Sequence, residues 1–314
     1  MHNDFLWVEK YRPKKIEDCI LPTDVKNTFK GFVEQGEIPN LLLSGTAGIG
    51  KTTIAKALCN ELGVDSYVIN GSDEGRFLDT VRNQAKSFAA TVSLTSTSRH
   101  KVLIIDEADN TTADVQLLLR ASIEEFQKNC RFIFTCNFKN KIIEPLHSRT
   151  TVIDFNVRGK TKQTLAAEFF ERCRDILSRE KVRFNDKVVA TVVQQYFPDF
   201  RRVLNELQRY SSTGDIDTGI LATLGDAKID TLVDALKNKK FNDVKKWVTQ
   251  NLDSDPTSIM RKLYDNLSSV MDGPSVAAAV LIIAEYQYKS AFVVDQEINL
   301  LACLTQLMLE CNFK

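Results

Sequence analysis

A chain of 314 residues is too long for one small core, and two or three domains is the expectation. With 43% hydrophobic residues, 26% charged residues and only 13 Gly and 7 Pro, disorder, collagen and coiled coil are excluded as whole-chain answers. Lys and Arg total 41 against 41 Asp and Glu, so no global basic surface exists for nucleic acid or membrane, and any such site must be local.

Seven scattered cysteines, never in a CxxC pair, read as a reducing compartment with neither a disulfide framework nor a zinc site. Asp4 and Glu9 stand where a secretory leader would be apolar. The longest apolar run, Val276 to Ala284, is half a bilayer crossing. A soluble intracellular protein without membrane contact is therefore expected. His2, His100 and His147 show no ligand or triad spacing.

In chain order, short apolar runs stand at 41–44 (LLLS), 67–70 (YVIN), 102–106 (VLIID), 132–135 (FIFT) and 151–155 (TVIDF). Segments of helical period separate them. That alternation predicts parallel strands covered on both faces by helices. From Arg158 onward the apolar residues recur at helical spacing, as at Leu165, Phe169, Phe170 and Cys173, so the chain turns all-helical there.

Residues 158–209 carry twelve Lys and Arg against seven Asp and Glu, a positive block that a solvated helical face explains equally well. A polar stretch at 211–219 separates it from a last block. There, two strongly apolar segments, 274–292 and 294–311, suit either a helix central to its own bundle or a subunit interface. The expected division is 1–156, 157–225 and 226–314.

At 45–52 the chain reads GTAGIGKT, directly after one predicted strand and directly before a helix on which Ile54, Ala57 and Leu58 share a face. This is a P-loop in its required context. Gly48 and Gly50 leave room for backbone N–H groups, that of Ile49 among them, to wrap a phosphate, and the helix start at Gly50 adds partial positive charge. Lys51 suits the β- and γ-phosphates of ATP, Thr52 suits Mg²⁺, and Thr53 completes the turn.

The run VLIID ends at Asp106, with Glu107 immediately after it. Strand ends on this side of a parallel sheet converge on the ligand, so Asp106 suits Mg²⁺ through water and Glu107 suits the attacking water. That pairing points to hydrolysis and not only binding. Asn137, just past the fourth run, brings an amide toward the γ-phosphate.

With these motifs in view the sequence resembles the AAA+ ATPases, and among them the sliding-clamp loaders, through WVEKYRPK at 7–14, GTAGIGKT, IIDEAD at 104–109, Asn137, SRT at 148–150 and PDFRRVLNEL at 198–207. The resemblance covers essentially the whole chain. It implies an α/β P-loop AAA+ domain, a small helical lid and an all-helical collar that assembles subunits. It places Val8, Glu9, Lys10, Tyr11 and Ile20 at the adenine, Asn137 and Arg201 as γ-phosphate sensors, and Arg149 in trans on a neighbour's ATP.

The same resemblance gives Gln116 and Arg120 a coupling role between interface and active site, and offers Arg76, Arg82 and Lys86 as DNA contacts. The motif at 148–150 departs from the family's Ser-Arg-Cys in its last residue, and Ala121 stands where a second arginine often follows Arg120. The implied partners are a sliding clamp, primer–template DNA and other loader subunits, including a distinct small one. The alternatives are another AAA+ DNA remodeller, such as a helicase loader or branch-migration motor, and a non-hydrolysing structural subunit. The intact phosphate motifs argue against the latter.

Overall fold

The computed structural model describes residues 5–72, 86–90, 100–157, 159–217, 229–251 and 256–314. The chain divides into two compact units, Met1–Leu221 and Ala222–Lys314.

The first unit is built on five parallel strands, β1 (Leu41–Ser44), β2 (Ser66–Asn70), β3 (Lys101–Asp106), β4 (Cys130–Cys136) and β5 (Thr151–Asp154), in the order β2-β3-β4-β1-β5. Their side chains alternate between two cores. Leu41, Leu43, Val102, Ile104 and Ile133 face the helices Thr23–Gln35 and Lys51–Glu61, with Phe29, Ile54 and Leu58 from those helices buried beside them. Leu42, Leu103, Ile105, Phe132 and Phe134 face the opposite side, where Val115, Leu119 and Ile123 of the helix Ala113–Phe126 cover them.

The three central strands are thus buried on both faces, as their unbroken apolar runs imply. The edge strands differ. Val68 in β2 and Val152 in β5 stay exposed because an edge strand has a neighbour on one side only. Polar residues at strand starts, Ser66 and Lys101, also join the ladder, since backbone pairing there does not depend on an apolar side chain.

Within the same unit, among the described residues, three helices follow, Gly159–Arg179, Asp186–Tyr196 and Phe200–Thr213. The first buries Leu165, Phe169, Cys173, Ile176 and Leu177 along one stripe. Asn185 and Asp199 cap the other two, accepting from Lys187 N and Arg202 N. The last of these helices runs through Thr213, three residues into the polar stretch expected to break it, because Ser and Thr at a helix end can satisfy carbonyls one turn back, as Ser211 and Ser212 do at Gln208 and Arg209.

The second unit is helical: Ile229–Lys237, Phe241–Gln250, Pro256–Val270, Gly273–Ser290 and Gln296–Glu310. Leu232, Val248, Leu263, Ile283, Leu300 and Leu304 belong to one continuous core. The two apolar segments read from sequence are its last two helices. Leu281, Tyr288, Ile298 and Leu309 on them are exposed, so burial is one-sided in this chain. No helix among the described residues is long and apolar enough to cross a membrane.

Candidate functional site

The P-loop leaves β1 at Ser44, and the register sets Ser44 beside Cys136, so Asn137 emerges next to the loop. In the next strand over, β3 ends at Asp106. Three chain segments far apart in sequence therefore share the carboxyl end of the central strands, where ligands of such folds bind.

Lys51 is 8% exposed, and its ammonium donates to Gly45 O (2.7 Å), Thr46 O (2.8 Å) and Asn137 Oδ1 (2.9 Å). Burial pushes its pKa down, against the opposing pull of nearby groups that include the carboxylates of Asp106 and Asp109. A cation in that position, ringed by uncharged acceptors, fits an anionic ligand. Thr52 donates its hydroxyl to Asp106 Oδ1 at 2.6 Å, so one hydroxyl and one carboxylate converge as an oxygen pair suited to a hard cation such as Mg²⁺. Among the described residues no group of three or more His, Cys, Asp or Glu could hold a metal ion alone.

Glu107 adopts left-handed backbone angles, φ 54° and ψ 45°, rare for a residue with a side chain. Its carboxylate accepts from Ser72 Oγ and from Asn110 Nδ2 (3.2 Å). Gly71 makes this approach possible, because a Cβ there would lie 2.5 Å from Glu107 O. Thr135, buried in β4, joins the two acidic residues: its hydroxyl donates to Asp106 Oδ1 (2.6 Å) and accepts from Glu107 N (3.0 Å). Sequence reading missed Ser72, Asn110 and Thr135. Only Thr135 carried a signal, as the one polar residue late in an apolar strand.

The lid helices close over the loop. Phe200 N donates to Gly48 O (3.1 Å), and a Cβ on Gly48, whose φ is +73°, would lie 1.8 Å from Asp199 Oδ1. Arg201, Phe200, Leu204, Phe169, Arg172 and Ile176 line the same cleft as Gly48, Ile49, Gly50, Thr53 and the acidic pair.

Of the residues expected at the adenine, Val8, Tyr11 and Ile20 line the cleft, joined by Arg12 and Pro13. Glu9 and Lys10 do not. Trp7–Lys10 is a single helical turn, so Val8 and Tyr11, three apart, share a face while Glu9 pairs with Arg12 and Lys10 with Glu180 (2.6 Å). Tyr11 also donates to Glu180 (2.5 Å), fixing the ring.

Arg149 is not among the residues lining this cleft. Its guanidinium donates to Glu124 Oε1 (2.9 and 2.6 Å), Pro145 O (3.0 Å) and Ser148 Oγ (3.1 Å), and Arg120 approaches the other Glu124 oxygen at 3.7 Å. Buried Gln116 donates to Thr111 O and Lys141 O and accepts from Ile143 N, tying its helix to the loop that leads to Arg149. Arg76 and Arg82 lie outside the described residues. Lys86 opens a short helix, Lys86–Ala90, and its side chain is likewise not described.

A phosphate-binding loop after the first strand, acidic residues ending the third and a helical lid over both define a P-loop nucleotide-binding ATPase domain. The family AAA, ATPase family associated with various cellular activities, matches residues 41–157, and the sliding-clamp-loader large subunit AAA+ ATPase lid domain matches 161–222. The chain belongs to the AAA+ sliding-clamp-loader family.

It is 35% identical to the sliding-clamp-loader large subunits of Escherichia phage RB69 and Enterobacteria phage T4, each match covering 98% of this chain and 96% of the relative. The replication factor C small subunit of Saccharolobus solfataricus is 32% identical, with the same coverage. Among solved structures, the Holliday junction branch migration motor RuvB of Thermotoga maritima matches at a TM-score of 0.54 and 20% identity, covering 82% of this chain and 87% of that one. That likeness is one of fold.

Proposed function

We propose that this chain is the ATP-hydrolysing subunit of a sliding-clamp loader. ATP binding drives clamp opening and gripping of primer–template DNA, and hydrolysis releases the closed clamp on the DNA. The observation that carries the reading is the convergence of Lys51, Thr52, Asp106 and Asn137 at the carboxyl end of the central strands, in a chain related over nearly its full length to clamp-loader large subunits.

Lys51 holds the β- and γ-phosphates, and the turned-in N–H groups of residues 48–53 hold the rest of the triphosphate tail. Thr52 and Asp106 would hold Mg²⁺, which when bound neutralises charge on the phosphate oxygens. Thr135 keeps the Asp106 carboxylate aimed at Thr52. Glu107 orients the attacking water, and Ser72 and Asn110 set where its carboxylate rests between turnovers. Val8, Tyr11 and Ile20 pack on the adenine; Asn137 and Arg201 contact the γ-phosphate.

Arg149, which does not line its own cleft, serves the nucleotide of a neighbouring subunit, with Gln116 and Arg120 linking that arginine to the loop beyond Asn137. The division at 1–156, 157–225 and 226–314 assigns catalysis, nucleotide closure and assembly to successive blocks. Arg76, Arg82 and Lys86 remain the proposed DNA contacts, made to backbone rather than to bases. A distinct small subunit completes the ring.

The test is clamp loading on nicked circular DNA with the chain, its accessory subunit and the clamp. ATP should leave the clamp topologically trapped on DNA and the loader free, whereas a non-hydrolysable analogue should leave all three together. A clamp that loads equally without nucleotide would overturn the reading.

A further inference from the structure

We propose that Asp109 is the positioning residue of Asn137: its buried carboxylate clasps the peptide at Asn137 and Phe138 and thereby sets the direction in which the Asn137 amide meets Lys51. The inference rests on the proposed contact of Asn137 with the γ-phosphate.

Asp109 closes the acidic run IIDEAD, but unlike Asp106 and Glu107 it does not line the cleft. It sits in the single turn Ala108–Asn110, 6% exposed, behind the strand ends. One oxygen, Oδ2, accepts from both Asn137 N (3.1 Å) and Phe138 N (3.0 Å). Those two N–H groups lie past the last ladder pair of β4, Ser44 beside Cys136, so the sheet itself offers them no acceptor. The other oxygen, Oδ1, is buried without a hydrogen-bond partner among the described residues.

Burying a carboxylate with half its capacity unused is costly, and a native structure retains such a group where it serves a purpose. Here the purpose is local. The backbone that Asp109 holds carries the amide that Lys51 meets at 2.9 Å, and the Lys51 ammonium lies in the field of the same carboxylate. Phe138 also begins the stretch whose far end, at Lys141 and Ile143, is held by Gln116. The clasp therefore stands where that stretch starts, at the residue proposed to feel the γ-phosphate.

The experiment is a double-mutant cycle on steady-state ATP hydrolysis by the full chain assembled with its accessory subunit, with nucleotide affinity measured in parallel by a fluorescent ATP analogue. Asp109→Ala should lower kcat about tenfold with affinity changed less than about twofold, and in an Asn137→Ala background the same change should cost under about twofold. Asp109→Asn, whose amide oxygen can accept both N–H groups, should stay within about threefold of the parent. If Asp109→Ala does not fold, Asp109→Glu, which displaces the carboxylate by one methylene, takes its place in the cycle with the same expectation.

Hydrogen exchange at the amides of 137 and 138 should quicken in Asp109→Ala and not in Asp109→Asn. Equal losses in both backgrounds, or Asp109→Asn as damaging as Asp109→Ala, would sink the clasp while leaving the role of Asn137 intact. Parent-like kcat in Asn137→Ala alone would remove the role of Asn137 and the clasp with it.

Discussion

Lys51 Nζ lies 2.9 Å from Asn137 Oδ1, although the two residues are 86 positions apart and follow different strands. The pairing exists because β1 and β4 are adjacent and end level with each other. It makes Lys51 a buried cation whose partners are three uncharged oxygens.

Burial lowers the Lys51 pKa, so near that pKa the folded chain binds fewer protons than the unfolded one. Its charge therefore works against folding at neutral pH, and stability recovers as pH rises from the folded-state pKa toward the ordinary 10.5. Lys51→Met should raise the Tm of the nucleotide-free chain at pH 7 while abolishing the Tm gain on adding ATP. Thermal melts with and without ATP check both halves, and an undiminished ATP-induced gain would be the contrary result.

Thr135→Val is nearly isosteric and removes one hydroxyl that serves both acidic residues. Leaving Glu107 N without its acceptor should cost about 1–3 kcal/mol of stability. Turnover should fall by at least about tenfold, with ATP affinity largely kept. Denaturant titration beside steady-state kinetics separates the two effects.

Gly48→Ala forces a side chain onto φ +73° and against Asp199 Oδ1. The backbone alone should cost about 1–2 kcal/mol, and the lid must shift as well. Removing Asp199 opens the space but loses the cap on Arg202 N, so Gly48→Ala with Asp199→Ala should recover part of the ATP affinity lost by Gly48→Ala alone. Equal affinities for the single and double variants would show that the contact is not the cause.

Arg149→Ala should leave ATP binding by the isolated chain unchanged and lower turnover of the assembly by about 10³ or more. Hydrogen bonds from Arg149 hold the Glu124 carboxyl below its usual pKa, but the pair is open to water and screened, so Glu124→Ala should leave the Tm essentially unchanged. A matching loss of turnover in the isolated chain would place Arg149 in its own site.

All seven cysteines are buried and unpaired. Burial pushes Cys19, Cys59, Cys173 and Cys303 up to about 12, and Cys130 and Cys136 up to about 11. A thiol-specific chromogenic reagent at pH 8 should react slowly with the folded chain and fully after denaturation.

Strands such as LLLS and VLIID were legible because burial on both sheet faces demands unbroken apolar runs. The phosphate loop was legible because its residues are consecutive. Ser72, Thr135, Asp109 and Asp199 were not, since each acts on a residue that only the strand order or the lid brings near. Glu9 and Lys10 show the reverse limit: the YRP segment marked the region, but one helical turn decides that Val8 and Tyr11 face inward.

The most direct measurement is steady-state ATP hydrolysis by the chain with its accessory subunit, with and without sliding clamp and primer–template DNA. Strong stimulation requiring both together is the expected result. Hydrolysis indifferent to clamp and DNA would contradict the clamp-loading function and leave an AAA+ ATPase acting on something else.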